Sequence, residues 1–512
     1  MKRKNIERVL LFNPPARTLR NRVDINPLPP LGLAYLGASL ESCGKKVRVV
    51  DCIIEGWKND FDNKAWNVGE NEEILVGLDE EGIKDIIRGF QPDLVGVSCM
   101  FTRQRKEAHR IIGFVAEIDP GIVCVMGGAH PTVMPLEVMK DANLDFIVLG
   151  EGEQSLCDLI ALIEGKKVIG DLDGIGFRDG DNVRIIPKTS FIGNLDSLPF
   201  PAHHLIDLPR YFGVKSSHGT RRKKRFCPVI TSRGCTFGCT FCSAHCVWGR
   251  KFRVRSVENV IEEMKMLKDK YGVEEIMIED DNFNTDPRRA EQLMDQMIAE
   301  NLGFVWDTPN GVSSISLSNN LIRKMKDSGC YKLNIAAESG NEHVLKNIMR
   351  KPVKLDDVRR QVTFARQIGL EVTLYLMIGM PGETEKQVWD TFRFAAEIGV
   401  FHPHISIATP YPGSKLYVEC LKKGYISKSL DLDQLFIHTA LIHSPTLSPE
   451  QVIRLRDEGW GYLLMREKLA HPLRFIGRKL GEAASHPLDF LSSLGSKLKN
   501  LRLLLKGFFS RS

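Results

Sequence analysis

Two uninterrupted series of short apolar runs, each run followed by a helical pattern, constrain this chain more than any other feature. The first series covers residues 9–12, 46–51, 94–98, 123–126 and 146–149 and is rich in Val, Ile and Leu. Runs of this length alternating with helices specify a parallel sheet covered on both faces. The second series begins at Pro228, with strands predicted over 229–232, 275–278, 304–307, 332–336, 372–378 and 404–408 and helices over 257–270 and 287–301. Right-handed crossovers curl six such units into an incomplete barrel, a partial (β/α)6 TIM barrel. The fold class is therefore α/β, an open flavodoxin- or Rossmann-like sheet followed by that partial barrel. In both architectures ligands bind at the carboxyl ends of the strands.

The chain divides accordingly. Residues 1–195 form the first domain, whose last part (171–191) changes to short strand-and-turn segments around Arg178-Asp179-Gly180-Asp181. A connector over 196–225 contains the rigid Leu198-Pro199-Phe200-Pro201. The barrel spans 226–425, and a helical, basic region spans 426–512. There Ser448-Pro449-Glu450-Gln451 has capping-box spacing with Pro at the first helical position, which predicts a helix toward Leu469.

Two or three domains suit 512 residues, and 43% hydrophobic with 26% charged residues excludes wholesale disorder and a polytopic membrane protein. No apolar run reaches 18 residues and the first 15 lack a signal-peptide core, so a cytoplasmic location is expected. The net charge of +6 is concentrated at the end: residues 466–512 hold ten Lys/Arg against three acids, leaving −1 for everything before them. A globally basic nucleic-acid binder is thereby excluded, and no nucleic-acid partner is expected. Arg221-Arg222-Lys223-Lys224-Arg225 reads as a solvated linker, with anion steering as its alternative.

Twelve cysteines in a chain of this length do not make a disulfide framework. Three of them stand at C-x3-C-x2-C spacing in Cys235-Thr236-Phe237-Gly238-Cys239-Thr240-Phe241-Cys242, directly after a predicted strand. Thiolates at this spacing suit an iron–sulfur cluster and leave one iron open. Structural zinc completed by His245 or Cys246, and a four-cysteine electron-transfer cluster using Cys246, are the alternatives. Cys227 and Cys330 read as small buried residues.

Over residues 226–425 this constellation resembles the radical S-adenosylmethionine (SAM) superfamily. The resemblance implies that Cys235, Cys239 and Cys242 hold a [4Fe–4S] cluster whose open iron takes the amino and carboxylate groups of SAM. Ile278-Glu279-Asp280-Asp281-Asn282-Phe283 is similar to the acidic motif that receives the SAM amino group, with Asp280 and Asp281 as candidates. Ala337-Glu338-Ser339-Gly340 is similar to the fourth-strand motif, implying SAM contacts at Glu338 and Ser339. Ile378-Gly379-Met380-Pro381-Gly382 and Pro410-Tyr411-Pro412-Gly413 resemble the adenine-side elements, implying contacts at Ile378 and Gly379. No residue is assigned to proton transfer with the substrate.

The first domain resembles the cobalamin-binding domain of cobalamin-dependent radical SAM enzymes in Asn13-Pro14-Pro15, Pro29-Pro30-Leu31-Gly32-Leu33, Gly127-Gly128-Ala129-His130-Pro131 and Gly150-Glu151-Gly152-Glu153. The connector and Trp248-Gly249-Arg250-Lys251-Phe252-Arg253-Val254-Arg255-Ser256 carry the same resemblance. It implies cobalamin contacts at Pro14, Pro15, Ser98, Met100, Gly127, Gly128, His130, Gly150, Glu151 and Gly152. A generic flavodoxin-like domain would share these features. The Asp-x-His-x-x-Gly lower-ligand motif is absent, so cobalamin is expected to bind without a protein histidine below the cobalt. His130 reads as part of a rigid loop.

The activity so implied is methyl transfer from methylcobalamin to an unactivated carbon through a 5′-deoxyadenosyl radical, with a reductase, flavodoxin or ferredoxin as electron donor. The alternative is radical cyclisation, ring rearrangement or oxidation in which cobalamin gives no methyl group. A tRNA methylthiotransferase is disfavoured by the lack of a second cysteine triad, and a non-catalytic cobalamin sensor leaves the triad without a task. The substrate is expected to be a small or lipid-like molecule. Leu501-Arg502-Leu503-Leu504-Leu505-Lys506-Gly507-Phe508-Phe509 reads either as an interfacial helix on the inner membrane face or as a packed terminal helix.

Overall fold

A computed structural model describes residues 4–19, 25, 27–57, 73–214 and 221–472. The first domain is built on β1 (Arg8–Asn13), β2 (Lys46–Asp51), β3 (Leu94–Ser98), β4 (Val123–Gly127) and β5 (Phe146–Val148), parallel in the order 2-1-3-4-5. An antiparallel hairpin, β6 (Ile175–Asp179) and β7 (Asn182–Ile186), extends the sheet beyond β5. This is the doubly wound order in which the direction of winding reverses between β1 and β3, and a crevice opens at that point.

Both faces of β1 are buried, as its unbroken apolar sequence requires. Leu10 and Phe12 join a core with Val95, Val97 and Ile111 that lies wholly within this domain. Val9 and Leu11 join Leu33 and Leu159 in a second core that continues without a break into the barrel. The two sheets therefore share one apolar layer.

The barrel consists of β8 (Phe226–Val229), β9 (Glu275–Ile278), β10 (Val305–Asp307), β11 (Lys332–Glu338), β12 (Glu371–Ile378) and β13 (His404–Ile407). All neighbours are parallel, and isolated bridges from Trp306 to Cys330 and from Val312 to Ile335 join the 8-9-10 and 11-12-13 groups. Five of the six strands fall where the sequence places them. The first does not: β8 ends at Val229, and Ser232–Arg233 instead pairs antiparallel with Arg253–Val254. Pro228 lies inside β8 because that strand pairs on one side only, where a missing N–H costs no ladder bond.

The predicted terminal helix spans Pro449–Ala470, with Ser448 and Gln451 closing its capping box. It lies against the helix Glu385–Glu397 at Gly459, where an added Cβ would meet the Phe392 ring at 2.1 Å. Its Val452 sits over Gly379 just beyond β12. Among the described residues no helix is long and apolar enough to cross a membrane. The apolar, basic tail segment 501–509 lies outside the described residues.

Candidate active site

The cysteine loop emerges from the Ser232–Arg233 hairpin strand through Gly234, whose φ of +85° suits glycine. Thr240 ties it across the barrel mouth: its N–H donates to the Met349 carbonyl (3.0 Å), its hydroxyl to Ile348 (3.0 Å), and its carbonyl accepts from Leu416 N–H (2.8 Å). Cys235, Cys239 and Cys242 share this loop closely enough to disfavour one another's charge. Burial, and then that mutual repulsion, pushes the Cys242 thiol up to about 11, and burial raises the other two. Buried thiols of this kind ionise when a metal centre supplies positive charge. Cys246 turns instead to the Gly413 carbonyl, 3.5 Å away. The donor set thus fits a cluster held by three cysteines.

The acidic motif splits into three roles. Asp280 is 2% exposed, and its carboxylate accepts from Thr231 N–H, Thr231 Oγ1 and Ser232 Oγ, each at 2.6 Å. It fastens the end of β9 to the start of the hairpin strand, and both of its oxygens are already engaged there. Asp281 accepts only a 3.3 Å bond from Gly234 N–H, lies beside Cys235 and Cys242, and is pushed to about 6 by burial and by Asp280. Asn282 is buried, with no hydrogen bond of ordinary length at either amide atom, and the group it turns toward is the thiol of Cys235. A buried amide this short of partners, set against a cysteine of the triad, has hydrogen-bonding capacity left for a polar group at the cluster loop.

Glu338 holds a φ of +63°, a left-handed conformation that costs a non-glycine residue on the order of 1 kcal/mol. Its Oε1 pairs with Lys351 Nζ at 2.6 Å in a buried ion pair. Burial works against the Lys351 charge, but Glu338, with Cys239 and Cys242 nearby, more than offsets it. Lys351 is thus a buried cation facing the cluster loop, and sequence reading missed it. It lies thirteen positions beyond Glu338 and reaches that residue only because the chain reverses at Arg350 (φ +53°).

Ser339, expected at SAM, is fully buried: its hydroxyl lies 3.1 Å from Thr391 Oγ1 and accepts from Asn341 N–H. Ile378 is likewise buried in the core. Gly379 (φ +86°) donates its N–H to Glu383 Oε2 at 2.7 Å. Glu383 was also missed: it is fully buried, its other oxygen is unpartnered, and burial raises it to about 7.

That shift makes stability depend on pH. The folded chain holds a proton on Glu383 that the unfolded chain releases near its ordinary 4.5, so stability falls as pH rises from about 4.5 to about 7. The loss is at most about 3 kcal/mol. Asp307, raised to about 7 by burial and by Glu275, acts with the same sign. Glu383→Gln is therefore expected to flatten, without abolishing, the decline in urea midpoint of the cofactor-free chain between pH 5 and pH 8.

In the first domain, Pro14 and Pro15 are buried after β1, while Ser98 pairs with Gly127 at the ends of β3 and β4. Gly128 (φ +107°) lets these loops touch: an added Cβ would lie 2.7 Å from the Cys99 carbonyl oxygen. Met100 (47%) and Phe101 (66%) stand exposed beyond β3, Phe101 unforeseen from the sequence. His130 is buried and is kept neutral, at about 4, by burial, Arg105 and His109. Its unpartnered Nδ1 accompanies a cavity of about 470 Å³ that His130 lines with Arg105, Lys106, His109, Arg110 and Glu137. Gly150 (φ +65°) and Gly152 permit close packing, against the Val247 carbonyl and Leu36 respectively. Glu151, expected at cobalamin, leaves neither oxygen open: Arg233 and Arg253 donate to Oε1 and Ile192 N–H donates to Oε2. Small residues at parallel-strand ends do fit a flat macrocycle. Across the interface, Val133 and Cys246 Sγ flank Gly413, at 2.6 and 3.2 Å from where its Cβ would stand.

Comparison with known proteins agrees with this arrangement. Residues 229–395 match the Radical SAM superfamily and residues 23–160 the B12 binding domain. The chain is 32% identical to cytidylyl-2-hydroxyethylphosphonate methyltransferase of Streptomyces wedmorensis, over 86% of each protein. It is 31% identical to an uncharacterized methyltransferase of Pyrococcus horikoshii, over 80% of this chain and 83% of that one. Among solved structures, the radical SAM methyltransferase TsrM of Kitasatospora setae, with tryptophan and a SAM analogue bound, superposes with a TM-score of 0.65 at 17% identity over 89% of both chains. The cobalamin-dependent radical SAM enzyme OxsB, with aqua-cobalamin and SAM bound, gives 0.68 at 15% identity over 97% of this chain and 75% of that one. The barrel with its cysteine triad and the sheet with its glycine-lined edge place this chain among the radical SAM enzymes that carry a B12-binding domain.

Proposed function

We propose that the chain is a cobalamin-dependent radical SAM methyltransferase acting on an unactivated carbon of a small molecule. The observation that carries this reading is the packing of the cysteine-loop side of the barrel, Ala244–Trp248, against the glycine-lined sheet edge at Ala129–Val133. When bound, a [4Fe–4S] cluster with SAM supplies a carbon-centred radical, and cobalamin supplies the methyl group. The chain's own share is to hold and orient. Cys235, Cys239 and Cys242 would ligate the cluster. Asp281, Asn282 and the Glu338–Lys351 pair, more than Asp280 or Ser339, would hold the polar end of SAM, with Gly379 supplying a close backbone approach. Pro14, Pro15, Ser98, Met100, Gly127, Gly128, His130, Gly150 and Gly152 would line the cobalamin side.

The division into 1–195, 196–225, 226–425 and 426–512, a flavodoxin- or ferredoxin-type donor, and an anionic surface contact of the basic tail belong to the same proposal. The phosphonate named for the Streptomyces wedmorensis relative makes an anionic small molecule the first substrate class to screen.

A second reading has its own support. Anaerobic magnesium-protoporphyrin IX monomethyl ester cyclase of Rubrivivax gelatinosus is 24% identical over 76% of this chain. Anaerobic reconstitution followed by iron, sulfide and corrinoid quantification is expected to give about four irons and one corrinoid per chain. With methyl-labelled SAM and substrate, methyl transfer yields S-adenosylhomocysteine and 5′-deoxyadenosine together. Deoxyadenosine without homocysteine would favour the second reading, and a cluster without corrinoid after cobalamin loading would overturn the first.

A further inference from the structure

Four charged side chains from both domains meet in one buried cluster. Glu151 is 0% exposed, Arg253 2%, Arg233 3% and Glu153 7%. Arg233 divides its guanidinium between Glu151 (3.0 Å) and Glu153 (2.6 Å), while Arg253 gives one nitrogen to Glu151 at 2.7 Å. The other Glu151 oxygen accepts from the backbone of Ile192, just before the connector, and Arg253 donates back to the Ile192 carbonyl (2.8 Å). Arg253 also donates to the Trp248 carbonyl at 2.7 Å. Arg233 lies over the Trp248 ring (4.8 Å) and the Tyr35 ring (5.1 Å).

The positions of these residues matter more than their number. Arg233 stands two residues before Cys235, and Trp248 six residues after Cys242. One carboxylate of the α/β domain therefore grips the cysteine loop near both of its roots. Such a cluster is a poor source of stability, because desolvation consumes most of its Coulomb energy, but it admits few geometries. An apolar interface of the kind that surrounds it would tolerate sliding. The charges do not.

We propose that Glu151 is a positioning residue: through Arg233 and Arg253 it fixes the cysteine loop at one distance and orientation from the glycine-lined edge. This rests on the reading that the two edges carry cofactors, and it assigns the Gly150-Glu151-Gly152-Glu153 turn to aligning the two centres rather than to touching either.

Hydrogen exchange of the cofactor-free chain tests the clamp itself. In Glu151→Gln, amides of residues 233–248 are expected to exchange at least tenfold faster, while those of β1 and β3 keep the parental rate. Glu153→Gln, which loses only the Arg233 contact, is expected to show a smaller change in the same segment. Electron paramagnetic resonance then tests alignment. At unchanged iron and cobalt content, the magnetic coupling between a reduced cluster and cobalt(II) corrinoid is expected to weaken or broaden in Glu151→Gln. Parental exchange over 233–248, an equal loss of protection across both domains, or unchanged coupling would each overturn the proposal. Should Glu151→Gln not fold, the double variant Glu151→Gln/Arg253→Gln, which removes one charge of each sign, is read in the same way. If the parent chain binds no corrinoid, the functional reading fails while the exchange experiment still decides the clamp.

Discussion

Cys239→Ala is expected to abolish cluster assembly and to reduce reductive cleavage of SAM to the level of buffer, a loss of at least about a thousandfold, while corrinoid binding stays at the parental level. The argument is one of ligand count. Cys239 sits between the other two thiols on a loop of eight residues, and two thiolates cannot hold three of the four irons. The loop itself should persist, because its anchors are the Thr240 bonds to Ile348, Met349 and Leu416 and the Arg233 and Arg253 contacts at its roots. None of these involves a cysteine. The corrinoid side lies on the other sheet, so its occupancy should not follow the cluster. Visible absorption and iron content of the anaerobically reconstituted variant, read with its corrinoid content, check each part. Cys246→Ala is the matched control: its sulfur faces Gly413 and is expected to leave the iron content unchanged. A loss of iron in that control would restore the four-cysteine alternative.

The fold was legible because its signals are local. Each parallel strand announces itself by an unbroken apolar run, and the terminal helix by Ser448 and Gln451 at capping-box spacing. The first barrel strand was misplaced because its end depends on a tertiary pairing, Ser232–Arg233 with Arg253–Val254, that apolar patterning does not encode. The cysteine triad was legible because its ligands lie within eight residues. The neighbouring contacts were less so. Asp280, Ser339 and Glu151 stand in the right motifs, yet each spends its polar atoms on the protein: on Thr231 and Ser232, on Thr391 and Asn341, on Arg233 and Arg253. Motif membership brings a residue near a site, and only the hydrogen-bond inventory says whether it is free to serve there. Asn282 and Glu383 escaped notice for the complementary reason. They are ordinary in sequence and conspicuous only as buried groups short of hydrogen-bond partners.

Lys351→Met should separate binding from folding at this site. Removing the cation leaves Glu338 buried without its partner, in a left-handed backbone that the pair helps to hold. Breaking a buried pair from one side costs about 3–5 kcal/mol, so a lower melting temperature is expected. Since Lys351 also faces Cys239 and Cys242, where the carboxylate of SAM would lie, the loss of a charge-assisted hydrogen bond should weaken SAM binding as well. At about 1.5–3 kcal/mol that is roughly a tenfold to hundredfold rise in dissociation constant, measurable by equilibrium dialysis of labelled SAM against the reconstituted protein. The double variant Glu338→Gln/Lys351→Met decides whether the pair binds SAM or serves the fold alone. It removes the orphaned charge, and it is expected to recover much of the melting temperature while SAM affinity stays low. If affinity returned together with stability, Lys351 would be a structural partner of Glu338 alone. Parental SAM binding in the single variant would lead to the same conclusion, and the polar end of SAM would then fall to Asp281 and Asn282.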